Sequence, residues 1–371
     1  MRGIVRDFFA VVVDFIEAVS SKYRCASFNE FTACLELWHN AVYEAFLFVR
    51  DYLQVVYETR VFISQLLSIL NFSPSLGSCS PHLAVTFNSA KLFLKKLFEE
   101  GFPKFDEQVH VVWGRMLRLS NMVTPLDRDT AERLRGLAEG EISRWIGEGS
   151  AVIDAYNRAL KADCEESFVK EVLNLMSGPK LLLDGLKRIA STFAAGFDPA
   201  SHPLENLSEL VQSAKAAAPV VLRGLKACST VYNYWVNTLF HMLRALYGYD
   251  EASKLLNRAL YGLSRGGKPP LKMPEKISLE ELRVGFIIAR ANLEDSAREL
   301  PHFKLMLEKV SFFSVFFNAP FIRDFCRNER ELIDHATRSI NQALGLAKDA
   351  NFKIYKAVEE LKRMKLTEPN K

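Results

Sequence analysis

Two Glu-x-x-His pairs, Glu36 with His39 and Glu107 with His110, have the spacing that best fits metal chemistry in this chain. Positions three apart on a helix share a face, so each carboxylate and imidazole can meet one ion. Di-metal carboxylate bundles combine two such pairs with one Glu from each of two further helices. Glu17 and Glu58 are the further acids available. Glu36 and Glu58 fall in one continuous helical pattern, which at 1.5 Å per residue sets them about 33 Å apart. That span defeats a single centre, and no cofactor is expected.

Residues 262–268 read G-x-x-x-x-G-K, most of a phosphate-binding loop. Such a loop needs a hydroxyl next for magnesium and a strand before it. Here Pro269 and Pro270 follow, and a helical pattern precedes. The segment reads as a solvated basic linker. His335 has Glu331 one turn before it and Asp334 beside it, and is expected to be a solvated residue on an outer helix face. His82, His202, His241 and His302 have no acid or cysteine at ligand spacing. Neither H-E-x-x-H nor G-x-S-x-G occurs, so zincin and serine-hydrolase chemistry have no linear support. Six cysteines form no C-x-x-C pair, which argues against a zinc ribbon or a disulfide scaffold.

Two kinds of residue could instead recognise a macromolecule. Tyr232, Tyr234 and Trp235 could stack bases, but they sit in an apolar helical pattern through Leu239, Met242 and Leu246 and read as core. Lys91, Lys95 and Lys96, Arg115 and Arg118, Lys187 and Arg188, and Arg223 and Lys226 each mark one helix face. Such faces are ordinarily solvated, unless they converge on a phosphate backbone.

The C-terminal segment supplies the clearest pattern. Ile333, Ile340, Ala347, Ile354 and Leu361 recur at sevens, and Ala336, Ala343, Ala350, Ala357 and Met364 follow each by three. This 3–4 spacing predicts one helix over residues 329–364 packing lengthwise on a neighbour, with the alanines permitting close approach. Phe352 and Tyr355 fall outside that seam, flanked by Lys348, Lys356, Lys362 and Arg363. They are either packed on a second neighbour or anchors of a basic-rimmed binding surface for protein or RNA.

The elements that must position these residues are nearly all helical. A first amphipathic helix covers residues 4–20. Residues 28–72 contain neither Gly nor Pro and are apolar almost all round, which predicts one long helix central to a bundle. Further helices are expected near 85–100 and 106–122, separated by a break at Gly101 and Pro103. Thr124-Pro125 marks the next start, and Pro219 should kink or end a later helix. Capping pairs are Ser27 with Glu30, Asp129 with Glu132, Asp163 with Glu166, and Ser278 with Glu281. The Gly/Pro/basic stretch 263–276 divides a helical body, residues 1–262, from a C-terminal helical region, 277–371.

Composition agrees with a folded chain: 49% hydrophobic and 25% charged, with a net charge of only +4, so no dedicated nucleic-acid coat is implied. Five glutamines among abundant charged residues point to a thermophilic source. The N-terminal apolar run is interrupted by Asp14 and Glu17, unlike a signal peptide, and no transmembrane segment is expected. The expectation is an all-α, multi-helix bundle of the cytoplasm, with a long central helix and a long Ala/Ile heptad helix at its C-terminus. Its function reads as non-enzymatic: an interaction or assembly subunit meeting a protein partner, or itself, through helices. An RNA- or DNA-binding accessory protein using basic helix faces is the alternative, and a di-metal carboxylate enzyme the third.

Overall fold

The computed structural model describes residues 1–23, 28–72, 84–193, 204–264, 272–274, 277–316 and 320–367. Among them the fold is all-α, without a strand. In chain order the helices are α1 (Arg2–Tyr23), α2 (Phe28–Asn71), α3 (Ala84–Lys96), α4 (Phe102–Val123), α5 (Arg128–Lys161), α6 (Glu165–Phe193), α7 (Leu204–Tyr247), α8 (Tyr249–Ser264), α9 (Leu279–Phe316) and α10 (Pro320–Thr367). Most of the expected linker at 263–276 and of the near phosphate loop at 262–268 lies outside the described residues, as does Ser27.

The chain divides into two compact units. The first comprises Met1–His39, Val220–Ser311 and Asp324–Lys371. Its core is aromatic around α1: Phe8 meets Phe286 of α9 edge-on at 5.1 Å, and Phe15 lies 4.1 Å from the Trp235 ring of α7. Ser20 and Tyr232 share a buried hydroxyl–hydroxyl hydrogen bond of 3.2 Å. In this unit α7 and α9 run antiparallel and nearly touch at two glycines. A Cβ on Gly224 would overlap Met306 Cβ and sit 2.9 Å from the His302 carbonyl oxygen. A Cβ on Gly285 would sit 2.8 Å from Ala245 Cβ and 3.3 Å from the His241 carbonyl oxygen. α10 lays its heptad seam on this core: Ala336, Ile340, Ala343, Ala347, Ala350 and Ile354 are all buried. The seam does not stay covered to the end of the helix. Among the described residues Val358 is the last buried one on the helix, and Leu361 and Met364 are exposed. The heptad continues in sequence past the point where the described residues cover it.

The second unit comprises Asn40–Pro219 and Phe312–Arg323. The α2 stretch within it is buried at closely spaced positions, among them Ala41, Val42, Ala45, Phe46, Phe48, Val49, Tyr52, Leu53, Val55 and Val56, as an all-round apolar helix requires. Its Tyr52 hydroxyl donates to the Leu186 carbonyl at 2.8 Å. The break expected at Gly101 and Pro103 does not occur. A π-turn over Leu97–Gly101 carries α3 into α4, with the Phe102 amide bonding back to the Leu97 carbonyl. Pro103 then stands in the first turn of α4, just after the π-turn has shifted the hydrogen-bond register. The wider turn keeps Phe98 and Phe102 stacked at 5.3 Å, and both pack on Phe62.

α5 starts three residues beyond Thr124-Pro125, and its cap is Asp127 rather than Asp129. Asp127 is extended, and its carboxylate accepts from the Thr130 amide at 3.2 Å. Glu132 instead pairs with Arg128. The Ser278 cap of α9 is present, its hydroxyl accepting from the Glu281 amide at 3.4 Å. Both Pro179 and Pro219 lie inside helices, α6 and α7. α5 and α6 form an antiparallel pair tied by Arg158–Glu171 at 3.0 Å and Arg188–Glu141 at 2.7 Å. Gly178 and Gly185 leave the room that Val152 and the Glu141 carboxylate occupy.

Candidate functional site

The outer face of α10 collects the residues singled out for binding. Because the buried seam fixes the helix's rotation, heptad positions b, c and f must face away from the core. Phe352 and Tyr355 occupy two of these positions and are 60% and 55% exposed. They are therefore not packed on a second neighbour. Lys348, Lys356, Lys362 and Arg363 lie on the same face and are exposed. The Lys356 ammonium sits 4.7 Å from the centre of the Phe352 ring, a cation–π contact that holds both side chains in place. Lys362 pairs with Glu359 at 3.7 Å. The result is an exposed aromatic pair flanked by four basic residues on the outer face of the helix, which Asp349 and Glu359 share.

Other sequence candidates are absorbed into the structure. Tyr232 and Trp235 are buried, so they offer no base a stacking surface. His335 is half-buried and not merely solvated. Its Nε2 lies 3.2 Å from Asp14 of α1, and its Nδ1 is 3.0 Å from the Ser339 hydroxyl. Serine, histidine and aspartate thus stand in a row, but the serine is the buried member and the aspartate the exposed one. A nucleophile must be reachable by substrate, so this row fastens helices and does not cleave bonds.

The basic faces are also partly spoken for. Lys91 reaches the last carbonyls of α5, donating to Leu160 at 3.1 Å and to Ala162 at 2.6 Å. It thereby caps that helix C-terminus with a positive charge. Arg115 pairs with Asp51 and lies 3.7 Å from Glu44, which Arg118 also approaches at 3.8 Å. Of the metal candidates, Glu36, Glu107 and His110 are exposed, His39 is half-buried, and the two pairs belong to different units. Among the described residues no three His, Cys, Asp or Glu side chains converge as a metal site would require.

One opening was invisible in the sequence. In the first unit a cleft of about 500 Å³ is lined by His241 and Arg244 of α7, Tyr249 of α8, and Glu280, Glu281 and Val284 of α9. Gly248 also lines it. Its φ of 82° lets the chain turn between α7 and α8 in a single residue. The Tyr249 ring then folds back to 5.7 Å from the Arg244 guanidinium and meets Phe240 edge-on at 5.8 Å. Burial, and then the nearby Arg244 charge, hold the His241 imidazole below its ordinary value, so it is neutral at neutral pH. Only the Tyr247–Gly248–Tyr249 stretch could have hinted at this place, and it has no motif.

No helix among the described residues is long and apolar enough to cross a membrane. No family model, curated protein or solved structure matches the chain.

Proposed function

We propose that this chain is a non-enzymatic interaction subunit that docks an acidic face of a partner protein on the outer face of α10. The exposure of Phe352 and Tyr355 carries the reading. Large aromatics flanked by basic residues leave apolar area unburied in the free protein, and interface anchors are drawn from such residues. The rim lysines and Arg363 favour acidic partners and speed encounter more than they add affinity. Lys356 restrains Phe352 before any partner arrives, which lowers the ordering cost of docking.

The test is affinity isolation of the chain from its own cells, with cross-links mapped to α10, beside the double variant Phe352→Ser, Tyr355→Ser. A stoichiometric partner cross-linked to α10 and lost in the variant, at unchanged melting temperature, is the expected result. Retention of the partner by the variant defeats the proposal. A nucleic acid in place of a protein would install the alternative reading instead. Its binding should then weaken steeply with salt, by a log–log slope of about 0.7 per phosphate contacted on a single strand.

A further inference from the structure

We propose that the cleft between α7, α8 and the start of α9 binds a small zwitterion, an amino acid or dipeptide with an apolar side chain. The charges in the cleft motivate this. Arg244 stands on α7, and Glu280 and Glu281 stand on the first turn of α9. None of the three forms an ion pair among the described residues, although they line the same opening. Opposite charges on separate helices thus line one opening, all three exposed, with no ion pair between them.

A ligand with a carboxylate and an ammonium satisfies both walls at once. An anion alone meets Arg244 but is repelled by two carboxylates, and a cation alone meets the reverse problem. A guanidinium offers a carboxylate two parallel donors, which fixes that end of the ligand. The exposed Tyr249 ring and Val284 line the same opening and suit an apolar side chain. The neutral His241 adds hydrogen-bonding capacity without changing the charge pattern. At about 500 Å³ the cleft falls within the roughly 300–1,000 Å³ of small-molecule sites. The close approach at Gly285, one turn past Glu281, holds α9 against α7 and fixes the spacing of the charged walls. This proposal is independent of the α10 surface.

Isothermal titration of the full chain with leucine, phenylalanine and leucyl-leucine tests it, with N-acetyl-leucine and leucinamide as ligands lacking one charge. At least one zwitterion should bind saturably. Each capped analogue should bind about tenfold more weakly or worse, the loss expected for one charged hydrogen bond. Arg244→Gln, and separately Glu280→Gln with Glu281→Gln, should abolish binding while circular dichroism stays that of the parent. Absence of binding by all three zwitterions overturns the proposal, as does equal binding of a capped analogue or undiminished binding by folded variants. The capped analogues decide the matter on the unmodified chain even where a variant fails to fold.

Discussion

The His335 imidazole joins α10 to α1 through Asp14 at 3.2 Å, with Ser339 holding its other nitrogen at 3.0 Å. Asp14 is mostly exposed, so water and salt screen the pair. Asp14→Asn should therefore cost only about 0.2–1 kcal/mol, and the loss should shrink further at high salt. Ser339→Ala removes the hydrogen-bond partner of a half-buried imidazole and should cost about 0.5–1.5 kcal/mol. Chemical denaturation of the two variants at low and high salt would separate these contributions.

Gly224 and Gly101 should respond oppositely to alanine. At Gly224 the new methyl overlaps Met306 Cβ and lies 2.9 Å from the His302 carbonyl oxygen, a backbone atom that cannot step aside. Forcing α7 from α9 there should cost about 1–3 kcal/mol or more. Gly101 is the reverse case: its Cβ would meet only Leu97 Cδ1 at 3.6 Å, an ordinary contact, and its φ is −90°. Gly101→Ala should stabilise the protein by about 0.4–1 kcal/mol through the unfolded chain. Paired melting curves check both signs.

Ala343 and Ala350 are fully buried in the α10 seam. Leucine at either position overfills the helix contact and should cost about 1–3 kcal/mol. Leu361→Ala, on the same heptad but exposed, should change stability by no more than about 0.5 kcal/mol. Equal sensitivity along the seam would show that something covers its end.

His241 gives a pH dependence with a definite sign. Burial holds its folded-state value below the ordinary one of about 6.5. Above that value the residue is neutral in both states and costs nothing. As pH falls below it, the unfolded chain takes up the proton more readily, so stability is lost. The loss continues until the folded value is also passed. His241→Gln should flatten this part of a melting-temperature profile between pH 7.5 and pH 5, and an unchanged profile would refute the assignment.

The helices were legible because their cause is local. The absence of Gly and Pro from residues 28–72 foretold α2 as one element, and the heptad foretold which face of α10 is buried. Ser278 was legible as a cap for the same reason. Choices made by packing were not. Asp127 and Asp129 are chemically equivalent, and only the extended backbone at Asp127 selects it. Pro103 reads as a breaker until a π-turn shifts the hydrogen-bond register. Periodicity placed His335 off the seam but could not supply Asp14, far away in sequence. Lys91 likewise looked like a solvated face, because its acceptors are the carbonyls of a distant helix end. The cleft at Arg244 is lined by one left-handed residue, Gly248, and by helices that meet only in the fold.

The early end of cover along α10 gives one covalent helix two levels of protection. Backbone amides from Ala336 to Ile354 are shielded by side chains packed against the core and should exchange with deuterium only through large-scale opening. Beyond Val358 the helix continues with Leu361 to Met364 exposed, so that stretch should fray and exchange early. A ligand seated on the helix would then announce its footprint as slowed exchange, and how far that slowing reaches past Val358 would measure how much of the helix it holds.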